Sequence, residues 1–263
     1  MPENESADLT LLTVAARAAG RIALHYWRNS PKAWEKPDGT GPVTEADIAV
    51  NDMLAATLRS ARPAYGWLSE ETTDTTARLG QRDTFILDPI DGTRSFMAGE
   101  EHFAHSLAIA RDGQITAAAI YLPAIDRLYT ATTTGGAACN GQPIRCSSAQ
   151  LEGATVLASR PALAPEHWRA PLPIRRMFRA SIAYRLCLVA EGAFDAMLTL
   201  RPTWEWDVAA GDLIVRQAGA SVTNRHGHRL AFNRAEPWTE GIIAAAPRVH
   251  QGILDSLIPD GVA

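Results

Sequence analysis

The sequence predicts a layered α/β fold, because segments with helical spacing alternate with strand-like segments along its 263 residues. Apolar residues between 7 and 28 recur at intervals of three and four, which predicts an amphipathic helix. Two strand-like runs, 105–111 and 114–122, flank Asp112-Gly113, a dipeptide typical of hairpin turns. A chain of this length forms one large domain or two modest domains that share a core.

The elements predicted before residue 100 lie on either side of a loop rich in proline and glycine. The buried face of the first helix is predicted to consist of Leu11, Val14, Ala15, Ala18 and Ile22. Residues 31–43, which include the run PDGTG, are predicted to form the loop. A second helix is predicted to start near Thr44, because Glu45 and Asp47 suit the positive end of a helix dipole. The predicted buried stripe of this helix is Val50, Leu54 and Leu58.

The same alternation continues through the rest of the chain. Strands are predicted over 84–87, 127–133, 153–158 and 194–200. Helices are predicted over 181–191 and 207–218, with Gly192 and Gly219 as their stops. A boundary near residue 145 is predicted to separate an N-terminal α+β half, 1–145, from a C-terminal α/β half, 146–263.

Composition excludes several classes of function. The net charge of −4 and the pI of about 6.0 provide no chain-wide basic field, so a nucleic acid polymer is not an expected partner. The three cysteines include no C-x-x-C pair, which argues against a zinc site or a disulfide framework. No signal peptide and no apolar run of ~18 residues is present, so we expect a cytoplasmic protein without a membrane partner.

Three acidic clusters each follow an apolar segment, where side chains can converge on a cleft. They are Ser69-Glu70-Glu71-Thr72, Asp88-Pro89-Ile90-Asp91-Gly92-Thr93 and Trp206-Asp207. Taken singly, each cluster can be explained by an ordinary structural role. These roles are turn geometry for the Asp-x-x-Asp run, a solvated surface for the Glu-Glu pair, and a helix start for Trp-Asp. Their combination in this order is what indicates a shared site.

The middle cluster has the features of a cation and phosphate site. Asp88 ends the predicted buried strand, Pro89 stiffens the next step, and Gly92 permits close approach by a ligand. Thr93 begins a predicted helix, whose first N–H groups have no partner within the helix and can face an anion. Crowded carboxylates beside an anion repel it, and a divalent cation removes that conflict. Ligands that are all oxygens favour magnesium, manganese or calcium over zinc.

Together with a fourth motif, these clusters resemble the inositol monophosphatase superfamily. The family pattern is Pro-Val-Thr-x-x-Asp, Glu-Glu, Asp-Pro-Ile/Leu-Asp-Gly-Thr-x-x-Phe and Trp-Asp-x-Ala-Ala-Gly. The chain has all four in that order, at Pro42 to Asp47, Glu70-Glu71, Asp88 to Phe96 and Trp206 to Gly211. The resemblance covers nearly the whole chain, and it implies the layered αβαβα sandwich of the sugar-phosphatase type.

The resemblance implies a metal-dependent phosphatase and a role for each matching residue. The implied metal ligands are four carboxylates and one backbone carbonyl, those of Glu70, Asp88, Asp91, Asp207 and Ile90. The implied catalytic residues are Glu70 and Thr93, which position and activate a water, and Asp47, which hydrogen-bonds Thr93. The implied substrate- and phosphate-binding residues are Asp91, Gly92, Thr93, Ser181 and Asp207. Lys36 lies where the family often has a lysine near the site.

The resemblance also implies the cofactor and the partners. Two or three Mg²⁺ ions are expected, with Mn²⁺ as a substitute, and water attacks the phosphorus in line without a covalent nucleophile. The expected partner is a small phosphorylated metabolite. Lithium sensitivity and a homodimer are further traits of the family.

The substrate is predicted from departures from the family pattern. In the inositol-specific branch a glutamate about seven residues before the Trp-Asp aspartate contacts inositol, and Leu200 stands at that spacing here. Leu68 to Glu71 and Glu205 to Asp207 resemble the 3'(2'),5'-bisphosphate nucleotidase branch. The leading prediction is therefore adenosine 3',5'-bisphosphate, with inositol 1-phosphate as the alternative. Arginines that could bind a second phosphate or a base, or that are ordinary surface residues, are Arg176, Arg179, Arg185 and Arg201.

An alternative of a different class is that the chain is a catalytically silent protein, which keeps the same fold and binds a ligand or regulates a partner. A chain that had lost activity would tend to lose some of the implied ligands. All four carboxylates and Thr93 are present, which favours an enzyme.

Overall fold

The computed structural model describes residues 2–36, 39 and 41–259. Within them the α-helices are α1 (Pro2–Tyr26), α2 (Glu45–Ala61), α3 (Thr93–Met97), α4 (Ile182–Ala190), α5 (Glu205–Gln217) and α6 (Pro247–Ser256). The strands are β1 (Ala33–Glu35), β2 (Pro42–Thr44), β3 (Gly66–Ser69), β4 (Asp83–Asp91), β5 (Ala104–Arg111), β6 (Gln114–Leu122), β7 (Arg127–Thr132), β8 (Gly136–Cys139), β9 (Gln142–Pro143), β10 (Thr155–Ala158), β11 (Arg175–Met177), β12 (Ala196–Trp204), β13 (Ser221–Thr223) and β14 (Trp238–Ala245).

The main strands form two sheets, one from each half of the chain. The first has the order β3-β4-β5-β6-β7-β8-β9 and is antiparallel except for the β3–β4 pair. The second has the order β11-β10-β12-β14-β13, with β10 parallel to both of its neighbours. Side chains on both faces of each sheet are buried in a core. Each sheet is therefore covered by helices on both faces.

Three helical layers cover the sheets and complete an αβαβα sandwich, as predicted. Helices α1 and α2 pack on the outer face of the seven-stranded sheet. Helices α4 and α5 lie between the two sheets, and all nine residues of α4 are buried there. Helix α6 packs on the outer face of the five-stranded sheet. Both sides of α4 are therefore covered, which is why each of its residues is buried.

Helix α2 begins where the sequence predicted, and its start positions a site residue. Thr44 is the N-cap, and its hydroxyl accepts from the backbone N–H of Ala46 at 3.2 Å. Asp47 completes a capping box by accepting from the N–H of Thr44 at 2.8 Å. The predicted stripe of α2 is confirmed, because Val50, Leu54 and Leu58 are fully buried.

Several predicted details are wrong. The buried stripe of α1 is Leu12, Ala15, Ala16, Ala19 and Ala23, while Val14 is 60% exposed. The predicted face is right in part, because Ala15 is fully buried and Leu11 and Ile22 pack against this core, and it is wrong for Val14. Part of the predicted loop forms the β1–β2 pair, and its residues 37, 38 and 40 lie outside the described residues.

The other boundaries agree to within a few residues. Strand β4 extends through Asp91 and β12 through Trp204, and α5 begins at Glu205. The hairpin turn at Asp112-Gly113 is confirmed, with positive φ angles of 49° and 76°. A division of the chain at residue 145 stays a prediction. Among the described helices, none is both long enough and apolar enough to cross a membrane.

Candidate active site

Three carboxylates from the two halves of the chain meet at one point. One oxygen each of Asp88, Asp91 and Asp207 lies within 4.8 Å of the others. Asp88 and Asp91 end strand β4, while Asp207 lies in the first turn of α5. The site therefore exists only because α5, in the middle layer, begins beside the end of β4.

An irregularity in β4 turns two nearby aspartates toward the same place. Asp88 pairs with Ser106 and Asp91 with Ala104, so the register shifts between the two aspartates. Such a bulge re-aims side chains that strict alternation would separate. Gly92 then adopts a φ of 98°, and a Cβ there would lie 3.1 Å from the carbonyl oxygen of His102. Both facts require glycine at the end of this strand.

Helix α4 fixes the orientation of Asp91. The hydroxyl of Ser181, the N-cap of α4, donates to Asp91 Oδ2 at 2.5 Å. The backbone N–H of Ala183 donates to the same oxygen at 2.6 Å. Both bonds engage Oδ2, which leaves Oδ1 available for a ligand. Ser181, an implied substrate-binding residue, therefore lies next to Asp91. Its hydroxyl is hydrogen-bonded to that carboxylate, and Ser181 is not among the residues that line the cleft.

The cluster is electrostatically costly without a counter-ion. Burial, followed by the charges of Glu70, Asp91 and Asp207, raises the pKa of Asp88 well above its ordinary value. Burial, followed by the charge of Asp91, likewise raises the pKa of Asp207. Burial raises the pKa of Asp91 to about 6, although its bonds from Ser181 and Ala183 oppose the change. These shifts mean that the carboxylates resist ionising together.

The arrangement fits a hard divalent cation. Asp88 Oδ1 is buried and has no hydrogen-bond partner, although a buried carboxylate oxygen ordinarily has one. A cation bound between the three aspartates would satisfy that oxygen and cancel the repulsion. The donors are all oxygens, the type that Mg²⁺ and Mn²⁺ prefer. No cysteine or histidine belongs to the group.

Thr93 and Asp47 form a hydrogen-bonded pair next to the aspartates. Thr93 Oγ1 lies 3.2 Å from Asp47 Oδ1 and 3.2 Å from the carbonyl oxygen of Ile90. The other oxygen of Asp47 accepts from the hydroxyl of Thr44 at 2.5 Å. Burial raises the pKa of Asp47 to about 6, an effect that its hydrogen bonds to Thr44 oppose. The capping box of α2 therefore fixes the carboxylate of Asp47, which in turn accepts a hydrogen bond from Thr93.

Two glutamates and a lysine form the opposite wall. Lys36 Nζ lies 2.7 Å from Glu70 Oε1 and 2.8 Å from Glu71 Oε1. Burial, followed by the charge of Glu70, raises the pKa of Glu71 to about 7. The charges of Glu70 and Glu71 outweigh the effect of burial on Lys36 and raise its pKa. Glu70 thus lines the same cleft as the aspartates, but its carboxylate is paired with Lys36 in this structure.

The carboxylates lie in an open cleft of about 1100 Å³. Two of the four arginines singled out in the sequence, Arg185 and Arg201, line it. The other two do not: Arg176 donates to the carbonyl of Ala158, and Arg179 donates to that of Phe178. The cleft also contains aromatic side chains, which are Phe178, Trp204 and Trp206.

A bulge in β12 determines which side chains of this strand face the cleft. Thr199 pairs with Ile242 and Pro202 with Glu240, so two residues of β12 oppose Gly241 alone. Gly241 has a φ of 71°, and a Cβ there would lie 2.5 Å from the carbonyl oxygen of Thr199. Leu200 consequently packs into the outer core beneath α6, while Thr199 faces the cleft. Leu200, the residue at the predicted spacing from Asp207, therefore does not line the cleft, and its equivalence to the inositol-contacting glutamate stays a prediction.

An aromatic pair lies beside Asp207. The rings of Trp204 and Trp206 are stacked, with centroids 4.8 Å apart and planes inclined by 12°. The carbonyl of Trp206 accepts from the hydroxyl of Ser106, which ties the pair to the seven-stranded sheet. Trp204 is 37% exposed and lines the cleft, so part of the pair is accessible to a ligand. The alternating Trp-Glu-Trp before Asp207 was the available sequence signal for this pair.

Comparison with known proteins agrees with this geometry. A model of the inositol monophosphatase family matches residues 4–259. The chain belongs to the inositol monophosphatase family. It is therefore a metal-dependent phosphoric monoester hydrolase that acts on small phosphorylated substrates.

Relatives with two different names are similar to this member of the family. Inositol-1-monophosphatase of Mesorhizobium japonicum is 34% identical over 238 residues, which cover 84% of this chain and 87% of that protein. Nus factor SuhB of Escherichia coli K12 is 30% identical over 265 residues, covering 95% of each chain. The crystal structure of the extragenic suppressor protein suhB of Bartonella henselae has a TM-score of 0.81 at 29% identity, covering 95% and 97%.

The buried carboxylates predict how magnesium changes thermal stability with pH. Their pKa values are raised in the cation-free protein, so the cluster's contribution to stability is present at low pH and is lost as pH rises through about 6, the pKa of Asp91. Magnesium binds the ionised cluster and offsets that loss. We expect the increase in Tm caused by saturating Mg²⁺ to be larger at pH 7.5 than at pH 5. Equal increases at both pH values, measured by calorimetry, would contradict the assignment.

Proposed function

We propose that this family member hydrolyses a nucleotide that carries a second phosphate, with adenosine 3',5'-bisphosphate as the leading substrate. The observation that carries the proposal is the partly exposed Trp204, stacked on Trp206 in the cleft that holds the carboxylates. A nucleobase can extend such a stack, because planar π systems prefer offset stacking.

Two cationic side chains support a substrate with more than one phosphate. Arg185 and Arg201 line the cleft, and the positive charge of Arg201 lowers the pKa of Arg185 after the larger effect of burial. Nε and Nη2 of Arg185 donate to the carbonyls of Arg179 and Ala180 at 2.6 and 2.7 Å, which holds its guanidinium in place, and Arg201 brings a second positive charge to the same cleft. The carboxylates account for one phosphate through the cation, and the arginines suit a second.

The proposed roles follow from the contacts described above. Glu70, Asp88, Asp91, Asp207 and the carbonyl of Ile90 would hold Mg²⁺. When bound, magnesium supplies Lewis-acid stabilisation of the phosphoryl oxygens and lowers the pKa of a coordinated water. Glu70 and Thr93 orient the attacking water. Asp47 accepts a hydrogen bond from the hydroxyl of Thr93, which fixes the direction of that hydroxyl. Gly92 and Thr93 present backbone N–H groups to the phosphate.

A second candidate substrate is inositol 1-phosphate. Two observations favour it: the name of the relative from Mesorhizobium japonicum, and the side chain of Thr199, which lines the cleft next to Leu200 in β12. Threonine both donates and accepts hydrogen bonds, so it is compatible with a polyol. Homodimer formation, lithium inhibition and a cytoplasmic location remain predictions.

The test compares phosphate release from adenosine 3',5'-bisphosphate and from inositol 1-phosphate, each with Mg²⁺, without it, and with added lithium. We expect a higher kcat/KM for the nucleotide and no turnover of either without a divalent cation. A higher kcat/KM for inositol 1-phosphate would reverse the order of the two candidates.

The variant Trp204→Ala tests the stacking directly. Loss of base stacking costs about 1–3 kcal/mol, so kcat/KM for the nucleotide should fall by about tenfold relative to that for inositol 1-phosphate. Trp204→Phe, which keeps an aromatic face, should restore most of the difference. Equal losses for both substrates would show that Trp204 only supports the fold.

A further inference from the structure

A buried arginine, Arg78, forms hydrogen bonds with both halves of the chain, outside the carboxylate cluster. Arg78 lies in a short 3₁₀ helix (Thr76–Gly80), eight residues after Glu70, and its side chain is 2% exposed. Its guanidinium donates to both oxygens of Asp74, from Nε at 2.7 Å and from Nη2 at 2.8 Å. This two-point contact fixes the plane of the guanidinium group.

The same guanidinium reaches the second half of the chain. Nη1 of Arg78 donates to Asn233 Oδ1 at 2.8 Å, and Nη2 donates to the carbonyl of Arg234 at 2.8 Å. Asn233 returns a bond from its side-chain amide to the carbonyl of Arg78 at 3.3 Å. Three hydrogen bonds therefore connect the segment after Glu70 to the loop that holds Asn233.

That loop in turn fixes the start of α5. Glu205, the first residue of α5, accepts from the N–H of Asn233 at 2.7 Å and from the N–H of Arg234 at 3.1 Å. Glu205 is 1% exposed and lies two residues before Asp207. The chain of contacts thus runs from the segment that carries Glu70 to the turn that carries Asp207.

We propose that Arg78 is a positioning residue that sets the spacing between Glu70 and Asp207 and thereby the cation affinity of the site. The inference rests on the proposed cation centre, though not on the identity of the substrate. The N–H of Glu70 donates to the carbonyl of Leu87 in β4, whereas the residues from 71 to the 3₁₀ helix form no helix or strand, so side-chain contacts contribute to fixing their place. A rigid, doubly anchored guanidinium provides such a contact, and partners of this kind orient metal ligands in proteins.

The experiment measures Mn²⁺ binding by electron paramagnetic resonance in the full chain, with and without Arg78→Met. We expect the Kd for Mn²⁺ to rise by about tenfold, the lower end of the effect seen when supporting contacts of a metal site are removed. Phosphatase activity at saturating metal should recover in large part, because the ligands themselves are intact.

A matched control separates positioning from general destabilisation. Arg111 is also buried, with a side chain 11% exposed, and it donates to Asp83 at 2.5 Å. Asp83 begins β4, five residues before Asp88, which places the pair roughly 16 Å from the site at ~3.3 Å per residue. Arg111→Met should lower Tm and leave the Kd for Mn²⁺ unchanged.

A second variant keeps the proposal testable if Arg78→Met fails to fold. Asn233 has a φ of 59°, which glycine adopts without strain, so Asn233→Gly removes only the side-chain contacts with Arg78. Its Kd for Mn²⁺ should also rise, by a smaller factor. Unchanged Kd values in both variants, or an equal rise in Arg111→Met, would overturn the proposal.

The same titration distinguishes failure of this inference from failure of the proposed function. Absence of Mn²⁺ binding in the wild-type protein would refute the cation centre and this inference with it. Normal Mn²⁺ binding together with no hydrolysis of adenosine 3',5'-bisphosphate would refute only the proposed substrate, and the comparison of variants would still decide the role of Arg78.

Discussion

Replacing Asp207 with asparagine is expected to lower kcat by about a thousandfold, or ~4 kcal/mol, because metal stabilisation of a phosphoryl transition state amounts to several kcal/mol. The amide keeps the shape of the side chain but removes the charge that would hold the cation. Phosphate release at saturating Mg²⁺ is the measurement.

The same substitution should raise the thermal stability of the cation-free protein. Asp207 contributes to a group of buried carboxylates that repel one another, so the variant relieves part of that repulsion. Loss of activity together with a higher Tm cannot be attributed to misfolding. A variant that keeps more than a tenth of wild-type activity would contradict the assignment of Asp207 as a ligand.

Asp212→Asn is the matched control on the same helix. Asp212 is 1% exposed, lies five residues after Asp207, and is paired with Arg216 at 2.6 Å. Its substitution removes the charged partner of Arg216, whose side chain is 22% exposed, and weakens a pair that is buried on the Asp212 side, so Tm should fall. Activity should be retained, because Asp212 does not line the cleft.

The variant Thr93→Val is expected to lower kcat by about a hundredfold or more, within the range for a group that acts on a proton in the reaction. Valine fills the space of threonine but cannot donate to Asp47 or orient a water. KM and the Kd for Mn²⁺ should change little, since the carboxylate ligands remain. A parallel loss of Mn²⁺ binding would show instead that Thr93 supports the cation centre.

Thr84→Val provides the control for this substitution. Thr84 lies on the same strand that leads to the site, is fully buried, and its hydroxyl has no hydrogen-bond partner. Replacing an unsatisfied buried hydroxyl with a methyl group is expected to be neutral or stabilising. Activity should match that of the wild-type protein.

The layered fold and the carboxylate cluster were predictable because both depend on local patterns. Apolar periodicity identified α2 and its buried stripe, and the acidic motifs at the ends of β4 and at the start of α5 identified the aspartates that meet. Each motif follows an apolar element, which is the position from which side chains reach a common cleft. The strands β13 and β14 and helix α6 were not predicted, although they complete the second sheet and its cover.

Contacts between distant segments were not predictable from one sequence. Nothing near Arg78 indicates that Asn233 will accept from it, because 155 residues separate the two. The buried face of α1 was predicted only in part, because alanines carry little hydrophobic signal although Ala16, Ala19 and Ala23 are fully buried. The pairing of Lys36 with Glu70 and Glu71 likewise depends on how the β1–β2 pair folds back over the site.

The bulge in β12 allows one wall of the cleft to be altered separately from the carboxylates. Because two residues of β12 oppose Gly241 alone, the strand can absorb a change of one residue there while α5 and Asp207 keep their place. Such a length change would bring a different side chain to the position of Thr199, which lines the cleft, without moving the aspartates. The width and polarity of that wall can therefore be varied by insertion or deletion at Gly241, independently of the acidic cluster.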